Sequence, residues 1–378
     1  MSLTGPVLPV VLLAAVLVVL VAIIIGPPAR MHRITASLVR TGEALGLSVL
    51  VLALSGVLLN NTYAFYLSWN DLLGVRSPVT STRAGADPRA VNKAPIGGVP
   101  AGPGSEPGTG SGQLPPLPHQ GRLQPYVVQG QQSLLRADVI VRLPEGYNPT
   151  ADVHYPVIVA LHGTPGEPSA WLGPMEFGAS IDAAVAQHRI AAPILVMPQV
   201  NFPYGTDTEC LNGQAGDPQV ETWLAQDLPT WIAAHFRVAP DRLGWATAGY
   251  SAGGFCAAFI TMHHPDRFGA ALVYGGYFRP TFSPGYAPYD EQTLRSSRYD
   301  LTRLAATDPP PVALWVMSSK GDTMSYPTTA KLIQNARAPL SVTSLIARSG
   351  GHAFANWVPD TPASLTWLGR SLSGFAPR

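Results

Sequence analysis

Two long apolar runs open the chain. Val7 to Ile25 contains no charged or hydrogen-bonding side chain. At about 1.5 Å per residue, a helix of that length matches the ~30 Å hydrocarbon core of a bilayer. The second run, Ala44 to Leu59, continues through Asn60 and Asn61 into Tyr63, Phe65, Tyr66 and Trp69, a cluster suited to a membrane–water interface. The pattern predicts a two-helix anchor over residues 1–75, with helices at about 7–25 and 44–67. The loop 26–43 carries Arg30, Arg33 and Arg40 against Glu43, and the positive-inside rule makes it cytoplasmic. Everything after the second helix is then extracytoplasmic. A signal peptide is the competing reading of the first run, although it lacks a charged leading segment. A buried core helix competes for the second.

Residues 76–120 have no apolar period and are dominated by Pro, Gly and Ser. Such a segment buries too little surface to offset its ordering entropy and reads as a flexible tether. The pattern changes at Gly121. RADVIVRL alternates like a strand, whereas YPVIVALHG, APILVMPQ, AALVYGGY and PVALWVMSS are near-continuous apolar runs, as strands buried on both faces require. WATAGY and LSVTSLIA complete the strand set. Between them ASIDAAVAQHRI, GGFCAAFITMHH, PTTAKLIQNAR and TPASLTWLGRSL have helical spacing. So does ETWLAQDLPTWIAAHF, with Pro229 as an irregularity inside it. Strands alternating with helices over residues 121–378 predict an α/β domain with a mostly parallel, doubly wound sheet.

The candidate chemistry sits where these elements meet. GYSAGG places Ser251 in a G-x-S-x-G at a strand-to-helix turn, the context in which that motif presents a nucleophile in the α/β-hydrolase fold. A serine hydroxyl needs a base, and in this fold the chain order is serine, acid, histidine. His352, after the last strand and a Gly-Gly pair, is the candidate base. His263 and His264 end the nucleophile helix and read as helix-end residues. Asp322, just past VALWVMSS, is the candidate acid, with Asp300 and Asp308 as alternatives. The oxyanion donors are the backbone N–H groups of Ala252 and Thr164, with Gly163 as the alternative to Thr164. His162 reads as a positioning or substrate-contacting residue. Trp171, Phe202, Tyr204, Tyr277 and Phe278 are candidates to line an acyl site, or ordinary packing.

Charge and cysteine content narrow the picture. A net charge of +1 offers no electrostatic case for nucleic acid. Charged residues are 12% of the chain, partly because anchor and tether carry so few. Cys210 and Cys256 are the only cysteines. Cys256 reads as a small buried hydrophobe of the nucleophile helix, with a Cys210–Cys256 disulfide as the alternative. No metal-ligand spacing occurs, and no cofactor is called for.

RLPEGY, LHGTPG, GYSAGG, HPDRFGAALVYGGY, KGD and GGHAFANW resemble the esterase D-like α/β-hydrolases, over roughly residues 130–370. That group includes feruloyl-esterase-type enzymes and the mycolyltransferases of bacterial envelopes. ETWLAQDLPTWIAAHF, LWVMSSKG and the insertion NFPYGTDTECLNGQAGDPQV are similar to the mycolyltransferase branch. The aspartate at 322 and LHG are closer to ordinary esterases. The resemblance implies nucleophile, acid and base at Ser251, Asp322 and His352, and oxyanion donors at Thr164 and Ala252. Together with the apolar runs it implies a plasma-membrane, multi-pass serine esterase of a bacterial cell envelope, acting on a lipid or envelope ester beside the bilayer. Acyl transfer to an envelope sugar or glycerol hydroxyl is the alternative, and a non-catalytic envelope-binding protein on the same fold is a second.

Overall fold

The central apolar runs become strands because only a position covered on both faces suits them. β4 (Val157–Leu161), β5 (Ile194–Pro198), β6 (Trp245–Tyr250), β7 (Ala270–Tyr274) and β8 (Ala313–Ser319) are buried at every residue. The structure is a computed structural model, described for residues 3–26, 32–63, 65–75, 77–94, 114, 116–282, 285–296 and 298–377. Its sheet has nine strands in the order β1-β9-β8-β7-β6-β4-β5-β3-β2, with β1 at Val79–Gly85, β2 at Leu123–Gln129, β3 at Arg136–Arg142 and β9 at Ser341–Ala347. β5, β4, β6, β7, β8 and β9 run parallel. β1, β3 and β2 are antiparallel additions at the two edges.

Helices cover both faces. One side buries Trp223, Leu228, Phe255 and Phe259, and the other Trp171, Phe177, Leu365 and Leu368. Each fully buried large side chain contributes about 1.5–3 kcal/mol. The irregularity expected at Pro229 is real: Trp223–Asp227 is a π-helical stretch leading into the helix Leu228–His235. The wider turn accommodates a residue with no N–H to donate.

Three expectations change. First, residues 77–94 are docked, not a free tether. Val79–Gly85 pairs with β9 along its whole length, Thr82 bonds Ser344 at 2.7 Å, and Val91 enters the core. As a polar edge strand held by backbone hydrogen bonds, β1 leaves no apolar signature. Residues 76, 95–113 and 115 of the expected tether lie outside the described residues. Second, the second apolar helix, α2, spans Arg33–Tyr63 and begins well before Ala44, inside the expected loop. RITASLVRTGE contains no proline, and arginine is a good helix former. α1 spans Val7–Ile25. Both helices are long and apolar enough to cross a membrane. Third, Cys210 and Cys256 form a disulfide.

Candidate active site

β4 leads on to β5 on one side and β6 leads on to β7 on the other, so the sheet switches direction between β4 and β6. Loops at the carboxyl ends of strands flanking such a point form a crevice. Here those loops are LHGTPG and GYSAGG. Ser251 sits at φ 56°, ψ −127°, a backbone region a serine reaches only when its surroundings hold it there. Its N–H donates to the Tyr274 carbonyl at 3.0 Å. The motif glycines are required by close approach. A Cβ on Gly249 would overlap the Gly253 carbonyl, and one on Gly253 would overlap the carbonyls of Leu161 and His162. The helix Ala252–His263 therefore starts tight against the end of β4, with Ser251 at its positive end.

The structure brings Ser251, His352 and Asp322 together. His352 Nε2 lies 2.8 Å from Ser251 Oγ, and His352 Nδ1 lies 2.8 Å from Asp322 Oδ2. A carboxylate only accepts, so Nδ1 carries the proton and Nε2 is free to accept from the serine hydroxyl. Asp322 also accepts from the Met324 and Ser325 N–H groups at 3.1 Å and from Ser325 Oγ at 2.7 Å. Burial pushes its carboxyl up, but the bonds from His352 and Ser325 outweigh that and hold it below the usual aspartate range. The His352 ring packs edge-on against Trp357, which stacks on Tyr250 beside Ser251. The alternative acids do other work. Asp300 caps the helix Leu301–Thr307, and Asp308 is exposed at its end. His264 pairs with Glu221, and burial lowers the His263 pKa to about 4.

The LHGTPG loop lies directly over the serine: a Cβ on Gly163 would come within 3.0 Å of Ser251 Cβ. His162 is buried with both ring nitrogens engaged, donating from Nδ1 to the Gly163 carbonyl and accepting at Nε2 from the Val200 N–H. Burial lowers its pKa to about 4, and with both ring nitrogens bonded to backbone it braces this loop. Thr164 Oγ1 bonds Asn201 at 3.2 Å. Among the described residues, no hydrogen-bond acceptor within the protein faces the N–H of Ala252 or of Thr164.

The expected aromatic lining is mostly core. Trp171 packs against Phe177, Tyr250 and Tyr274, while Phe278 and Phe202 are buried in the other layer. Tyr204 is exposed. Of the five, Tyr277 borders a groove of about 480 Å³, together with Arg279, Phe282, Tyr289 and Met324. Its hydroxyl is committed to Glu209 at 2.6 Å. Glu209 is fully buried beside Asp207, and its other oxygen has no partner among the described residues. No three His, Cys, Asp or Glu side chains converge as a metal site among the described residues.

Two supporting residues escape sequence reasoning. Ser319 bonds the Gly350 carbonyl and accepts from the Gly321 and Asp322 N–H groups, joining acid loop to base loop. Asp71 accepts from the Gly351 N–H at 2.9 Å. No motif marks either one; only proximity in the fold does.

Residues 135–368 match the family model described as "Putative esterase". An uncharacterized protein of Corynebacterium glutamicum is 29% identical over 154 residues, 41% of this chain and 36% of that protein. A diacylglycerol acyltransferase/mycolyltransferase, Ag85B of Mycolicibacterium smegmatis, is 39% identical over 69 residues, 18% of this chain and 20% of that protein. The chain thus spans about a third or less of these relatives' length. A ferulic acid esterase structure covers 66% of this chain and 98% of its own, at 19% identity and a TM-score of 0.55, a likeness of fold.

Proposed function

The chain belongs to the esterase family, and from that membership we propose that it is a membrane-anchored, extracytoplasmic serine esterase working through an acyl-enzyme. One observation carries this reading: Ser251 Oγ, His352 and Asp322 in a continuous hydrogen-bonded relay at 2.8 and 2.8 Å. Ser251 Oγ attacks the ester carbonyl while His352 Nε2 takes its proton. Asp322 holds the Nδ1–H tautomer and stabilises the imidazolium. The developing oxyanion is received by the Ala252 and Thr164 N–H groups, and the start of the nucleophile helix adds its positive end. As the tetrahedral centre collapses, His352 returns the proton to the leaving alcohol. Water then attacks the acyl carbonyl and gives a proton to His352, which passes it to Ser251 Oγ as the acyl–oxygen bond breaks and the carboxylic acid leaves. The groove past Met324 and Tyr277 supplies partly apolar walls next to the acid loop for one arm of the ester.

The substrate class follows from location. Two apolar helices precede the domain, so a lipid or envelope ester beside the bilayer is within reach. The similarity to Ag85B favours a second reading, in which a sugar or glycerol hydroxyl replaces water at the deacylation step. Both use the same residues up to the acyl-enzyme. A fluorophosphonate probe should label the wild-type protein and leave Ser251→Ala unlabelled. 4-Nitrophenyl butyrate turnover should fall by about 10³-fold or more in that variant. A folded wild-type protein that resists the probe would sink the esterase reading. Adding trehalose or glycerol separates the two: free butyrate alone, even at excess acceptor, rules against transfer.

A further inference from the structure

The segment that leaves the second apolar helix does not swing free before the domain begins. Asn60 clasps Tyr66 through two hydrogen bonds of 2.8 Å, turning the chain back at the helix end. The next residues run along the loops that carry Asp322 and His352. Leu67 lies against Gly321, where a Cβ would overlap its Cδ1 atom. Asp71, in the short helix α3 (Trp69–Leu72), is buried although its neighbours are exposed. Its Oδ2 accepts from the Gly351 N–H and from the Leu67 N–H, both at 2.9 Å. Its Oδ1 accepts from Asn356 Nδ2 at 3.1 Å, and that amide also donates to the Gly351 carbonyl at 2.9 Å. The pairing continues outward. Ser77 meets Ser349 at 2.9 Å, Pro78 accepts from the Arg348 N–H at 3.0 Å, and β1 follows along β9. The arm that presents His352, from Ser341 to Gly351, is thus lined by residues 77–85 and, at its end, by Asp71.

We propose that Asp71 is a positioning residue of the active site, a juxtamembrane hook that fixes the His352 loop to the end of the membrane anchor. This rests on the triad reading above. The charge suits the task. Gly351 precedes the base, and glycines at 350 and 351 leave that loop without side chains of its own to lock it. Gly350 sits at φ 133°, a conformation favouring glycine. A buried carboxylate accepting two backbone N–H groups and one amide supplies what the loop lacks, and charge-assisted bonds are the stronger kind. Asp71 touches neither Ser251 nor His352. It acts through the backbone of Gly351, so its effect is on where His352 Nε2 stands. Displacing a base by about 1 Å costs on the order of 10²-fold in rate.

The test uses the full chain in detergent micelles, with 4-nitrophenyl butyrate and the fluorophosphonate probe. Asp71→Ala should lower kcat, and the rate of probe labelling per folded molecule, by about 10–100-fold while KM changes less than twofold. Asp71→Asn keeps an oxygen for the Gly351 N–H and should recover most of that loss. Asn356→Ala should add little on top of Asp71→Ala, because both act on one loop. Thermal melts give the folded fraction for each variant. If Asp71→Ala loses activity only in proportion to folded protein, or if KM carries the change, Asp71 is a packing residue and the proposal fails. An active wild type with equally active Asp71 variants also overturns it, and leaves the esterase reading standing. A wild type inert to both reagents overturns that reading instead.

Discussion

Glu209 shows how much a single residue's surroundings decide. Its carboxyl is held well above the ordinary 4.5, first by complete burial and then by the charge of Asp207. Bonds from the Tyr277 hydroxyl and the Thr281 N–H, at 2.6 and 2.8 Å, oppose that rise without cancelling it. The sign of the consequence is fixed by linkage. Above the ordinary carboxyl range the native state keeps a proton that the unfolded chain releases, so stability falls as pH rises through that window. Below the unfolded pKa the contribution is fully present. Glu209→Gln keeps an acceptor for Tyr277 and Thr281 and removes the titration. The melting-temperature difference between Gln variant and wild type should therefore shift in the variant's favour from pH 5 to pH 8. A difference independent of pH would show that Glu209 does not titrate with folding. Asp322 is the opposite case, a buried carboxyl held down by donors, and its contribution is lost on acidification.

At the scale of elements, the strands that read clearly are those whose burial leaves no choice. YPVIVALHG, AALVYGGY and VALWVMSS are apolar throughout because β4, β7 and β8 are covered on both faces. The G-x-S-x-G turn was legible for a related reason: its glycines sit where backbone meets backbone. β1 was not legible, since a polar edge strand satisfied by β9 leaves no mark in a hydrophobic pattern. The aromatics were left open between lining and packing because a tryptophan beside a loop of the site and one beneath it have the same sequence. Cys256 was read as a hydrophobe because its helix is buried all round, and the disulfide depends on where the 201–219 insertion folds back. That bond closes a loop of 46 residues and staples the insertion to the helix Ala252–His263. The chain-entropy model gives about 4 kcal/mol for such a loop. Cys210→Ser with Cys256→Ser should lower the unfolding free energy in urea by about 2–4 kcal/mol, with the midpoint moving and the slope little changed. No shift in midpoint would mean that the insertion is held by its other contacts, such as Glu209 to Tyr277 and Tyr289 to Asn212.

At the scale of the whole molecule, the question is which side of a membrane the serine occupies. The two apolar helices touch along their length and are tied at one end by Asn61 and Gly5, which exchange hydrogen bonds of 3.1 and 3.2 Å. That end is also where Asn60 turns the chain toward the domain. At the other end of α2, its first turns carry Arg33 and Arg40. Beyond the clasp, Phe65, Trp69, Leu72 and Leu73 are exposed and apolar, as a segment lying in a bilayer interface would be. If both helices span a bilayer, the positive-inside rule predicts the arginines on one side and the domain on the other, the arrangement proposed above. The native thiols are paired, so an added cysteine reports on its own location. Leu134→Cys, at a domain site 77% exposed, should react with a membrane-impermeant maleimide in intact spheroplasts. His32→Cys, at the start of α2, should react only after permeabilisation. The reverse pattern would put Ser251 in the cytoplasm, and labelling of both sites before permeabilisation would mean that α2, which lies between them, does not cross.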